Sequence, residues 1–183
     1  MKTLIVNGSP RKKGDTASLL NEMKNNLHGE IIELSAYYDK ISPCIDCRYC
    51  WQNGECCIKD DMELIYNDDY DNLVIASPIY ISNLTGPLMN LGSRLQVYYA
   101  SKRFLGIEKK LKNKTGILIL VGGGIGSPDK AIGYARYMFK ITNTFYDKNN
   151  LVSSLETDRI PAIEDEVAVS KVKQLTLKLN DKV

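Results

Sequence analysis

The sequence holds a single histidine, His28, a single tryptophan, Trp51, and three phenylalanines among 183 residues. One histidine cannot supply the Ser-His-Asp or Cys-His arrangements of nucleophilic hydrolases. His28 closes a helical pattern and reads as a solvent-facing residue. No charge of one sign dominates: 24 Lys plus Arg stand against 22 Asp plus Glu, for a net charge of +2. That balance argues against nucleic-acid binding, which needs a concentrated basic face. No apolar run approaches the roughly 20 residues of a membrane span. Met1–Gly8 reads as a first strand, not as a signal peptide, so the expectation is a cytoplasmic protein. What is present is an ordinary globular mixture, 44% hydrophobic and 25% charged. A chain of this size is expected to form one domain over residues 1–183.

Short β-branched runs alternate with helical spacings along the chain. Thr3–Val6, Glu30–Leu34, Leu73–Ala76, Thr115–Val121 and Leu151–Leu155 read as strands. The third and fourth are apolar on both faces, as central parallel strands are. Helical spacing links Ala17, Leu20, Met23 and Leu27. It recurs in Leu84, Leu88, Leu91 and Leu95, in Ala131, Ala135, Met138, Thr142 and Phe145, and in Ala168, Val172, Leu175 and Leu179. A short helix is expected from about Met62 to Tyr66, with Asp60 and Asp61 as its caps. Lys109–Lys114 reads as a solvated basic face. The alternation implies an α/β fold, a parallel sheet with helices on both faces. Ligands of such sheets bind outside the carboxyl ends of the strands.

Three segments fall at that edge. Asn7-Gly8-Ser9-Pro10-Arg11-Lys12-Lys13-Gly14-Asp15-Thr16 leads from the first strand into a helix. Free N–H groups and the dipole at a helix start attract phosphate, and Arg11 can neutralise its charge. The segment is neither G-x-G-x-x-G nor a P-loop. A polar turn capped by Asp15 explains it equally well. Ser77-Pro78-Ile79-Tyr80-Ile81-Ser82-Asn83-Leu84-Thr85-Gly86 follows the third strand and offers a flat face for a planar heterocycle, or a tyrosine that packs on the next helix. Gly122-Gly123-Gly124-Ile125-Gly126 follows the fourth and allows close backbone approach.

Together these motifs, in their order and spacing, resemble the NADPH-dependent FMN reductase family. The resemblance covers nearly the whole chain. It implies a flavodoxin-like three-layer fold of strand order 2-1-3-4-5, FMN as cofactor and NAD(P)H as co-substrate. By the same resemblance Ser9, Arg11, Gly14, Asp15, Thr16 and Ala17 surround the FMN phosphate. Pro78, Ile79, Tyr80 and Asn83 border the flavin ring, and Gly122, Gly123 and Gly124 lie at its polar edge. The implied activity is hydride transfer from NAD(P)H to a small acceptor such as a quinone or flavin, in a homodimer or homotetramer. The chain departs from its relatives at Asp15, where asparagine is frequent. It departs also at Ser82, where glycine is frequent, and at Ser93-Arg94, where Asp-Arg is common.

Cys44-x2-Cys47-x2-Cys50-x5-Cys56 has metal-type spacing, with Cys57 as a spare expected to be buried. The spacing is similar to that of iron–sulfur flavoproteins, which implies a [4Fe–4S] cluster beside FMN and electron transfer to a redox protein. The residues themselves leave zinc, a redox disulfide and no metal at all open. They also leave open a cofactor-free binding or regulatory module. Tyr49 and Trp51 could shield a cluster, cover a neighbouring subunit's flavin or anchor the loop locally.

Overall fold

The computed structural model describes residues 1–181. In chain order its elements are β1 (Lys2–Asn7), α1 (Asp15–Asn26), β2 (Glu30–Ser35), α2 (Cys50–Asn53), α3 (Glu63–Tyr66) and β3 (Asn72–Pro78). There follow α4 (Gly86–Arg94), α5 (Gln96–Leu105), β4 (Lys114–Val121), α6 (Asp129–Ile141), β5 (Thr144–Phe145), β6 (Leu151–Ser154) and α7 (Glu166–Asn180). All pairings between strands are parallel. The sheet runs β2-β1-β3-β4-β5, and β6 also pairs with β4. β5 lies against Lys114 and Thr115, and β6 against Leu118–Val121. The fifth position of the 2-1-3-4-5 order is therefore filled by two short segments, of which only β6 is legible in the sequence.

Strand alternation divides the interior into two cores. Leu4, Val6, Leu73, Ile75, Leu118 and Leu120 face one way and pack with α4, α5 and α6. Ile5, Val74, Ala76, Ile117 and Ile119 face the other way, against Leu19, Leu20 and Met23 of α1 and Val172, Leu175 and Leu179 of α7. This is the doubly covered, flavodoxin-like α/β sheet. No described helix is long and apolar enough to cross a membrane.

Two expectations are corrected here. The helix read through Phe145 ends at Ile141, because Asn143 turns left-handed at φ 53°. Its Nδ2 donates to the Leu111 carbonyl at 2.8 Å, and Phe145 passes into β5 with most of its surface exposed. Lys114 does not belong to a solvated face. Its side chain is fully buried, pairs with Asp68 at 2.5 Å and donates to the Lys112 carbonyl at 2.7 Å.

Candidate functional site

The β1–α1 segment is built around its own backbone. Asn7 Oδ1 accepts the Ser9 N–H at 2.9 Å, and Ser9 Oγ accepts the Arg11 N–H at 3.2 Å. A side chain on Gly8 would fall 2.7 Å from Leu88 Cδ2, so glycine lets the turn lie directly on α4. Gly14 stands at the N-cap in extended conformation and no side chain caps α1, which leaves the N–H groups of its first turn facing the loop. Asp15 does not cap its own helix. Its Oδ1 accepts the Ala162 N–H at 3.0 Å and its Oδ2 lies 3.7 Å from the Arg11 guanidinium. The carboxylate is thereby turned toward the β6–α7 connection. Thr16 and Ala17 are buried behind it. Ser9, Arg11 and Ala17 line one cavity of about 280 Å³ with Lys12, Lys24 and Tyr38.

The segments after β3 and β4 are laced to this one and to each other. The Thr85 hydroxyl donates to the Gly8 carbonyl at 2.8 Å, and the Ile79 N–H donates to the Val121 carbonyl at 2.7 Å. Tyr80 and Asn83 exchange backbone bonds of 2.9 and 3.0 Å across Ile81 and Ser82, which take φ of 50° and 61°. This is a two-residue turn of the hairpin type that ordinarily calls for glycine or asparagine. It holds Ile81 98% exposed. The glycine segment is pinned from behind. The carbonyls of Gly122 and Gly123 accept the N–H groups of Thr157 and Asp158. A Cβ on Gly123 would fall 2.6 Å from Asp158 Oδ2, whereas Gly124 and Gly126 border open space. Gly122 and Gly123 thus owe their smallness to the 155–158 loop, and Gly124 and Gly126 have room on their faces.

The cysteine loop is closed by a residue from α4. Arg94 is 2% exposed. Its guanidinium donates to the Ser42 carbonyl at 2.8 Å, the Ile58 carbonyl at 3.0 Å and Asp60 at 2.7 Å, so it ties both ends of the loop together. Asp60 also accepts the N–H groups of Ser42 and Met62, and Asp61 accepts that of Lys40. The acidic pair braces the loop and is more than a helix cap. Burial works against charge on Asp60, but Arg94 and the two N–H groups outweigh it and hold its carboxyl below the usual range. Trp51 stacks on Phe104 of α5 at 4.0 Å, with the Arg48 guanidinium over its ring at 4.8 Å, which makes it a local anchor.

All five cysteines line one small cavity with Arg94, whose Nε is buried and has no partner among the described residues. Cys57 is exposed, not buried, and its Sγ lies 3.2 Å from Cys47 Sγ. The Tyr49 N–H and the Cys57 thiol lower the pKa of Cys47, the hydrogen bond to Cys47 raises that of Cys57, and burial raises that of Cys50.

The sequence profile of NADPH-dependent FMN reductases matches residues 1–156. The chain belongs to this family. An iron–sulfur flavoprotein of Archaeoglobus fulgidus is 30% identical over 145 residues, 76% of this chain and 63% of that protein. The iron–sulfur flavoprotein MJ0731 of Methanocaldococcus jannaschii is 35% identical over 129 residues, covering 67% and 62%. The chain therefore spans less than two thirds of the length of these relatives. The solved NAD(P)H:quinone oxidoreductase from Methanothermobacter marburgensis shares the fold at a TM-score of 0.69 and 13% identity, with 98% of this chain and 97% of that one covered.

For an FMN reductase family member the donor set at the carboxyl edge fits FMN. An uncapped helix start beside Arg11 suits a phosphate ester, with one Asp15 oxygen held by the Ala162 N–H and the other 3.7 Å from the same guanidinium. The chemistry of the cysteine pocket likewise fits an anionic iron–sulfur group: four spaced thiols and an unspent guanidinium donor. Among the described residues no three His, Cys, Asp or Glu side chains stand close enough to share a metal. Holding a cluster therefore requires the loop to gather, with Cys47 leaving Cys57. Thr157, Asp158, Ala162 and the clamp role of Arg94 carry no motif in the sequence. Each acts through a contact distant in the chain.

Proposed function

We propose that residues 1–183 form one FMN-binding domain that acts as an oxidoreductase, taking hydride from NAD(P)H and passing reducing equivalents to a small acceptor such as a quinone or a free flavin. The observation that carries this reading is the meeting of three loops at one sheet edge around an uncapped helix start. When bound, FMN supplies the hydride chemistry. The N–H groups of Thr16 and Ala17, with Ser9, Arg11 and Gly14, receive the phosphate, which competes with Asp15 Oδ2 for the Arg11 guanidinium while Ala162 holds Asp15 Oδ1. Pro78, Ile79, Tyr80 and Asn83 border the ring, and Gly122, Gly123 and Gly124 run along its polar edge. No side chain is assigned as acid or base. Exposed Ile81 and Ile125 in the loops of this edge support a homodimer or homotetramer, and a cytoplasmic location is part of the same reading. Anaerobic protein loaded with FMN should lose its oxidised-flavin absorbance on addition of NADH or NADPH and recover it with a quinone. Persistence of the oxidised spectrum with both nucleotides contradicts the reading.

A second reading, an iron–sulfur flavoprotein electron carrier, is supported by Arg94, which lines the cysteine pocket and whose buried Nε has no partner among the described residues. Here Cys44, Cys47, Cys50 and Cys56 hold a [4Fe–4S] cluster, which supplies single-electron transfer to a redox protein. Anaerobically purified protein should then carry about four iron and four sulfide per chain. The metal should be lost in Cys44→Ser and kept in Cys57→Ser. Iron-free protein would leave the first reading alone.

A further inference from the structure

Cys57 falls outside the four-cysteine spacing, yet it makes the one sulfur–sulfur contact in the loop. Its Sγ lies 3.2 Å from that of Cys47, both residues are exposed, and neither thiol is walled off by the core. Two sulfurs ligating a common [4Fe–4S] cluster bind different irons and stand much farther apart, so this contact is not a half-formed cluster site. The backbone holds the pair in place. Asp46 and Arg48, on either side of Cys47, take φ of 50° and 58°. Such conformations are costly for residues other than glycine and persist only where surrounding contacts enforce them. The enforcing contacts are visible: Arg48 lies over the Trp51 ring at 4.8 Å, and Trp51 is stacked on Phe104. The far side of the loop, which carries Cys57, is fixed by the Arg94 bond to the neighbouring Ile58 carbonyl.

We propose that Cys47 and Cys57 form a thiol–disulfide exchange site that takes low-molecular-weight disulfides as substrate. The thiolate of one cysteine attacks a sulfur of the small disulfide, forming a protein mixed disulfide and releasing one small thiolate. The second cysteine then attacks the protein sulfur, closing the Cys47–Cys57 bond and releasing the other. The two protein thiols lose two electrons and two protons, and the small disulfide gains both as two thiols. No outside oxidant is needed, and neither FMN nor metal takes part. A consequence, which rests on the cluster reading of the same loop, is that a closed Cys47–Cys57 bond removes Cys47 from the ligand set. Disulfide and cluster would then exclude one another.

The test uses the reduced full-length protein under anaerobic conditions, with oxidised glutathione as probe. Free thiols are trapped by alkylation, and the tryptic peptides are mapped by mass spectrometry. Cleavage after Arg48 and Lys59 puts Cys47 and Cys57 on different peptides. Fragmentation then separates Cys47 from Cys44, and Cys57 from Cys50 and Cys56. The native protein should yield the Cys47–Cys57 cross-link as its main oxidised product. Cys57→Ser and Cys47→Ser should each stop at a glutathione adduct on the remaining partner, with the cross-link abolished. Circular dichroism matching that of the native protein shows that the variants are folded. A dominant cross-link elsewhere, unchanged cross-linking in Cys57→Ser, or adducts without any cross-link in the native protein overturns the proposal. The cluster reading is tested apart from this, by whether pre-oxidised protein refuses iron and sulfide until it is reduced. Iron-free protein in both states would remove that reading and leave the mapped cross-link standing.

Discussion

Removing the Arg94 guanidinium while Asp60 stays in place should cost about 3–5 kcal/mol of folding stability, the usual penalty for leaving one partner of a buried ion pair uncompensated. Arg94→Met measured by urea unfolding checks this, and adding Asp60→Asn should recover part of the loss. A variant of native stability would show the pair to be dispensable. The sign of the pH dependence follows from the Asp60 carboxyl, which is held below its ordinary range in the folded state. Its contribution is complete above the unfolded value of about 4. It is lost as pH falls from there through the lower folded value, and the acid side of the stability profile should flatten in the double variant. At this scale the sequence is least legible. Arg94 and Asp60 are 34 residues apart, and neither stands in a pattern that announces burial. Asp15 looks like a helix cap, but its partner, the Ala162 N–H, lies 147 residues away. Lys114 ends a lysine-rich run and looks solvated until Asp68 is placed beside it. Pairing across the fold decides each of these, and local spacing does not encode it.

Among the elements, the Tyr80–Asn83 turn carries the clearest local strain. Serine at φ 61° carries a conformational cost that glycine would not. Ser82→Gly should therefore raise stability by up to about 1 kcal/mol, read as a higher midpoint of denaturant unfolding. A lower midpoint would mean that the Ser82 side chain makes a compensating contact. The strands were readable because their alternation serves two cores at once, Leu118 and Leu120 to one and Ile117 and Ile119 to the other. Helix α5 is not legible as a separate element because no proline or glycine marks the Leu95–Gln96 junction. The chain bends there without a punctuating residue, and Val97, Tyr98, Ala100 and Ser101 continue the buried face. The split of the edge position into β5 and β6 is not legible in the sequence, because two residues, Thr144 and Phe145, are too few to show a period. Of the candidate site, the three loops were visible as motifs. The bonds that set their relative positions, Thr85 to Gly8 and Asp158 to Gly123, were not.

For the molecule as a whole, the parallel sheet and the order 2-1-3-4-5 place the ends of β1, β3 and β4 side by side, and this adjacency gives the account its functional content. The apolar side chains around that edge predict self-association. Light scattering at micromolar concentration should return a dimer or tetramer, and a monomer would contradict this. The central claim is that this edge binds FMN through its phosphate, and the most direct measurement is an equilibrium titration of the native protein and Arg11→Ala with FMN and with riboflavin. The account predicts FMN binding to the native protein in the micromolar range or tighter, on the order of −8 kcal/mol. Arg11→Ala should lose roughly tenfold to a hundredfold in affinity for FMN, as expected for a charge-assisted contact of about 1.5–3 kcal/mol, and riboflavin affinity should scarcely change. No FMN binding, or an equal loss for both ligands, would contradict it.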